Sequence, residues 1–139
     1  MDLSTIELPD VTFTVEQVKA AEFASALDTQ LATEADGAAL VPIGMVFFVL
    51  CRDSATIFER LGVRWDRALF GGVRLEYTRQ VRAGEQLVAR SRFLSYRERP
   101  SAEGRLGILE LETCYSASDG QLVLREVSTL IARGGLELS

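Results

Sequence analysis

Hydrophobic and polar positions change period part-way along the chain. Before Gly71-Gly72 the apolar residues recur at helical spacing; after it they alternate. Val11 to Val15 alternates and predicts a short first strand. From Glu16 to Leu27, Ala20, Phe23 and Leu27 share a face, while Lys19 and Glu22 lie on the wetter side. That spacing predicts an amphipathic helix with Thr14 as its cap. Asp28 to Ala39 is polar and irregular. Pro42 suits a helix start, where its missing N–H costs nothing. The run Met45-Val46-Phe47-Phe48-Val49-Leu50-Cys51 is apolar on every face, which marks a helix buried all round. A buried strand is the competing reading of so short a run. Continuation through Ala55, Ile57, Phe58 and Leu61 favours one long helix that Gly62 stops, with a point of interruption at Asp53-Ser54.

Beyond Gly72 the period is two. Val73, Leu75 and Tyr77 alternate with Arg74, Glu76 and Thr78. Strands are predicted over Leu87 to Tyr96, Leu106 to Ala117 and Leu122 to Ala132. A turn at Ala83-Gly84-Glu85, a loop from Pro100 to Gly104 and a hairpin turn at Ser118-Asp119-Gly120 separate them. A helix-rich front and a strand-rich back predict an α+β fold in one domain, residues 1–139. To cover a helix that is apolar all round, the antiparallel sheet must curl about it, which is a hot-dog arrangement. The sheet keeps an open edge, and pairing edges between two chains removes that hazard, so a dimer is expected.

Composition narrows the chemistry. The net charge of -5 argues against a nucleic-acid surface. There is no histidine, the side chain that ordinarily exchanges protons near neutral pH. Two thiols, Cys51 at the end of an apolar run and Cys114 within a strand-like run, make no zinc constellation, and no metal or cofactor is expected. Met1-Asp2-Leu3-Ser4 does not read as a secretory leader. The longest apolar run is far short of the ~20 residues that span a bilayer. A cytoplasmic protein with no membrane contact is therefore expected. Lys19 is the only lysine beside fourteen arginines. Arg90, Arg92, Arg97, Arg99 and Arg105 gather around one hairpin, either as a charged sheet face or as a phosphate or carrier-protein contact.

The ordered stretches Phe13-Thr14-Val15-Glu16, Val41-Pro42-Ile43-Gly44-Met45, Leu61 to Gly72, Glu76 to Glu85 and Ser128 to Gly134 are spread along nearly the whole chain. In their order and spacing the sequence resembles the MaoC-like hydratase/dehydratases, specifically their N-terminal, non-catalytic halves, the FAS1-like dehydratase type. The resemblance implies a hot-dog fold. It also implies acyl thioesters of coenzyme A or acyl carrier protein, and reversible water addition to a trans-2-enoyl chain. Catalytic relatives carry Asp-x-Asn-Pro-x-His; this chain has Asp28-Thr29-Gln30-Leu31-Ala32-Thr33. Asp28 matches the motif aspartate, and Thr33, which cannot act as a base near pH 7, stands where the histidine would be. Gly44 falls at the oxyanion-hole glycine, a candidate backbone N–H donor at a helix start.

Each candidate has a plainer alternative. Asp28 is a surviving carboxylate or a polar helix end. Gly44 is an oxyanion donor or a glycine needed for tight packing beside Pro42. Glu34 and Asp36 are a substitute acid–base pair or solvated loop carboxylates. Pro42, Met45, Phe48, Trp65 and Tyr77 line an acyl site or are packing and interface anchors; Tyr96 and Tyr115 read as strand aromatics. Three functions are open. The first is a histidine-less subunit that shapes the acyl pocket of an enoyl-thioester hydratase or 3-hydroxyacyl-thioester dehydratase, beside a catalytic hot-dog partner. The second is a stand-alone enzyme with a re-purposed pocket, directing polyketide or polyene cyclisation or an elimination through Asp28 or a tyrosine. The third is an acyl-binding module.

Overall fold

A computed structural model describes residues 2–45 and 54–137, with backbone alone at 54–56 and 65. Its strands are β1 (Val11–Thr14), β2 (Ala68–Tyr77), β3 (Gln86–Ser101), β4 (Gly104–Ala117) and β5 (Leu122–Arg133). Its helices are α1 (Gln17–Ala26) and α2 (Ser54–Arg60), with single 3-10 turns at Leu3–Thr5 and Trp65–Arg67. The strands form one antiparallel sheet in the order β1-β3-β4-β5-β2. The meander β3-β4-β5 is as the alternation predicts. β2 reaches its place at the sheet's edge by crossing over to pair with β5.

Alternation and register sort the side chains into two faces. The inner face carries Tyr77, Ala89, Tyr115 and Leu124 near one end, in one buried cluster with Val15, Ala20, Val41 and Met45. Leu109 and Ala132 lie near the other end, clustered with Leu3, Leu61 and Leu136. Full burial of side chains such as Leu61, Leu87 and Leu124 contributes roughly 1.5–3 kcal/mol each. Met45 is helical, and α2 ends at Arg60, just before Gly62, whose φ of +64° stops the helix as expected. Both flanks of the apolar run thus pack on the same sheet face. The run beyond Met45, with Phe48, Cys51 and the Asp53 interruption, lies outside the described residues.

Three local expectations are corrected. Glu16, not Thr14, precedes α1, and no side chain caps it. β2 begins at Ala68 rather than after the two glycines. The register slips between Phe70 and Gly72, and a Cβ on Gly71 would stand 3.1 Å from both Ile131 and Thr129 side chains. The glycines therefore make a bulge inside the strand, not a break before it. β3 continues through Pro100 to Ser101, so the expected loop shrinks to Ala102-Glu103. β1 pairs with β3 only over its first four residues. At Pro100 one flank of β3 has no partner among the described strands, which tolerates a residue without an N–H.

Candidate functional site

The segment Ala39–Val41 is fastened to the chain that follows β2. Val41 N–H donates to the Val81 carbonyl at 2.8 Å, Ala83 N–H donates to Ala39 at 2.9 Å, and Leu40 bridges Arg82. Pro42 to Met45 therefore emerges beside the end of β2. There the Gly44 N–H donates to the Tyr77 hydroxyl at 3.5 Å, a long and weak bond. Gly44 has φ +92°, and a Cβ on it would meet nothing within 4 Å. The glycine is required by backbone conformation, not by tight packing beside Pro42. Tyr77 is half-buried, and burial pushes its phenol above the ordinary value. The Gly44 N–H opposes that shift and the charge of Glu126 reinforces it. Near neutral pH Tyr77 keeps its proton, so this corner offers two donors, an amide N–H and a phenol O–H.

A polar row crosses the inner face next to it. Ser91 and Thr113 share a hydrogen bond of 2.8 Å, and Thr113 stands opposite Glu126 in the β4–β5 ladder. The Glu126 carboxylate accepts from Tyr115 Oη and from Ser128 Oγ, each at 3.4 Å. Only 4% of Glu126 is exposed. Burial raises its pKa to about 7, against the pull of the Ser128 and Tyr115 hydrogen bonds. In a chain without histidine, this is a group that exchanges a proton near neutral pH. The sequence reading missed it, although a signal was present. Along β5 the inward phase reads Leu124, Glu126, Ser128, Leu130, Ala132, an acid among apolar neighbours.

The other candidates are dispersed. Asp28 is exposed, with φ +55°, and its N–H donates to the Ser25 carbonyl where α1 ends. It closes the helix in the left-handed conformation that Asp tolerates. Thr33 is exposed and forms a bridge with Ala39. No hydrogen bond joins Asp28 or Thr33 to Gly44 among the described residues. Glu34 pairs with Arg82 at 2.8 Å, and Asp36 accepts from the Ala38 N–H at 3.0 Å, so both carboxylates already have structural work. Pro42 adjoins the Gly44 corner, and Met45 is buried in the cluster that Tyr77 packs against. Phe48 and the side chain of Trp65 lie outside the described residues. Among these residues no group of His, Cys, Asp or Glu could hold a metal, and no helix is long and apolar enough to cross a membrane. The five hairpin arginines do not form one patch. Arg90, Arg92, Arg97 and Arg99 share the outer face, whereas Arg105 faces inward. Arg90 is paired with Asp10, Arg92 with Glu112 and Arg105 with Glu98.

The family model for the FAS1-like dehydratase domain region matches residues 3–126. The chain belongs to the FAS1-like dehydratase family. No curated protein is similar enough in sequence to match it. Among solved structures, it resembles the C-terminally truncated HadBC (3R-hydroxyacyl-ACP dehydratase) complex from Mycobacterium tuberculosis. The TM-score is 0.77 at 22% identity, over 95% of this chain and 98% of that one. The (R)-hydratase from A. caviae involved in PHA biosynthesis gives 0.63 at 19% identity, over 91% and 96%. The ChsH1–ChsH2 complex from Mycobacterium tuberculosis gives 0.66 at 12% identity, over 89% and 82%. At such identities the likeness shows the fold, and that fold is the α+β hot-dog.

Proposed function

We propose that this FAS1-like chain is the histidine-less subunit of an enoyl-thioester hydratase or 3-hydroxyacyl-thioester dehydratase. It shapes the acyl pocket beside a catalytic hot-dog partner in the cytoplasm, without a cofactor of its own. The carrying observation is the pairing of family membership with an exposed Thr33 where the proton-transfer histidine would stand. Water addition needs a positioned acid–base group, worth about 10²–10⁴-fold, and Thr33 offers none. Heteromeric neighbours, the HadBC and ChsH1–ChsH2 complexes, support a partner chain. So does the β2 edge, which has no partner strand among the described residues and exposes Leu69 and Val73. The Gly44 N–H and Tyr77 O–H would contribute to the pocket wall, with Pro42 and Met45 around them and Asp28 left outside the chemistry.

One observation favours a second reading, a stand-alone enzyme with a re-purposed pocket: Glu126, buried beside Tyr115 and titrating near neutrality. A single experiment separates the two. Hydration of crotonyl- and longer enoyl-thioesters is measured for the isolated chain and for the chain with a catalytic hot-dog partner. The subunit reading expects turnover only in the mixture. Turnover by the isolated chain that vanishes in Glu126→Gln selects the second reading.

A further inference from the structure

The polar row on the inner face divides the two apolar clusters from each other. On β3, Ser91 stands between Ala89 of one cluster and Phe93 of the other. On β4, Thr113 is opposite Ser91 and stands between Tyr115 and Leu109. On β5, Glu126 is opposite Thr113, with Leu124 on one side and Ser128 and Leu130 on the other. Thr113, Glu126 and Ser128 are buried. A buried polar band between apolar side chains costs stability unless its groups are satisfied. Here they are satisfied only in part. An ionised carboxylate has about four acceptor positions. Glu126 receives two hydrogen bonds, each at 3.4 Å, well beyond the ~2.7–2.8 Å usual between oxygens. Ser91 and Thr113 share a single bond, so one of their hydroxyl protons has no acceptor among the described residues. Spare acceptor capacity and a spare donor thus lie side by side.

We propose that Glu126, Thr113 and Ser91 recognise a hydroxyl group carried part-way along the acyl chain, so that the substrate is a mid-chain hydroxylated acyl thioester and not a plain hydrocarbon one. A hydroxyl both donates and accepts. It therefore suits Glu126 in either protonation state, donating to the carboxylate or accepting from the acid, and both states are present near neutral pH. A methylene at the same place would leave the carboxyl and the spare hydroxyl proton unpaired. This recognition rests on the reading of the Gly44–Tyr77 corner as part of an acyl-thioester pocket, and it names the substrate class of that pocket. The β2–β5 ladder sets the position of the hydroxyl. Tyr77 is level with Leu124, and Glu126 follows one side-chain repeat further along the same face, about 7 Å. A thioester carbonyl at the Gly44–Tyr77 corner and a chain running along β5 bring the hydroxyl to Glu126 about five or six carbons beyond the carbonyl, with staggered bonds of ~1.5 Å.

The test is calorimetric titration of the purified chain with N-acetylcysteamine thioesters of decanoic, 6-hydroxydecanoic, 7-hydroxydecanoic and 10-hydroxydecanoic acid. The comparison proteins are Glu126→Gln, Glu126→Leu and Thr113→Val, each checked for an unchanged circular dichroism spectrum. The better of the two mid-chain hydroxyl ligands should bind the wild type about tenfold more tightly than the decanoyl and 10-hydroxydecanoyl thioesters. Glu126→Leu should bind all four alike. Glu126→Gln should keep part of the preference, because an amide also donates and accepts. Thr113→Val should lower the preference severalfold, and it carries the test if Glu126→Leu fails to fold. Equal binding of all four ligands by the wild type, no binding of any, or a preference that survives both Glu126→Leu and Thr113→Val would overturn the proposal. Partner-dependent hydration of plain enoyl-thioesters is read in a separate assay, so the hydroxyl preference and the subunit reading fail independently.

Discussion

Glu112 and Glu126 are both buried acids on the central strands, yet their surroundings drive them in opposite directions. Glu112, on the outer face of β4, accepts from Arg92 and Arg125 at 2.6 Å each, and these partners hold its carboxyl below the ordinary range against the opposing effect of burial. Its contribution to stability is present above the unfolded value of 4.5 and is lost as pH falls through the lowered folded value. Glu126 has only two long hydroxyl hydrogen bonds, so burial wins. Between pH 4.5 and about 7 the folded chain keeps a proton that the unfolded chain has released, and stability falls as pH rises through that window. In denaturant melts, Glu126→Gln should gain on the wild type progressively across this range and show no further relative gain above it. A constant difference between the two proteins at all pH values would refute the raised pKa. Neither environment follows from composition: an acid in the inward phase of β5 is visible in the sequence, but its few partners are not.

At the scale of elements, periodicity located most strands, and punctuation residues misled where neighbours mattered. Gly71-Gly72 reads locally as a break, but pairing with β5 makes it a bulge. Pro100 reads as a loop, but it sits in a ladder whose other flank lacks a described partner. Gly62 was legible as a helix stop, and tertiary structure adds a second constraint. A Cβ there would approach the Glu137 carbonyl oxygen to 2.5 Å. Left-handed backbone alone costs a non-glycine residue about 1–2 kcal/mol. Gly62→Ala should destabilise the fold by at least about that much, as read by urea midpoint, with a further loss from displacement of the 134–137 tail. A loss of no more than about 1–2 kcal/mol would mean the tail moves aside freely.

At the scale of the molecule, β2 decides how two chains meet. It flanks β5 on one side only, and Val73 is 39% exposed. A lysine on an edge strand opposes strand pairing between chains. Val73→Lys should dissociate the proposed assembly into folded monomers, seen as a halved mass in light scattering with an unchanged circular dichroism spectrum. An intact assembly would place the interface elsewhere. The sequence by itself determined the alternating meander, the α1 helix, the α+β class and the missing histidine, because each is written in local period or residue identity. Only tertiary structure decided that Gly44 faces Tyr77, that Glu126 is buried with only two hydroxyl partners, and that Arg67 and Arg133 share a cleft. Those facts depend on residues far apart in the chain, brought together by β2 crossing to β5 and by the Ala39–Val41 fastening, and no local pattern encodes such meetings.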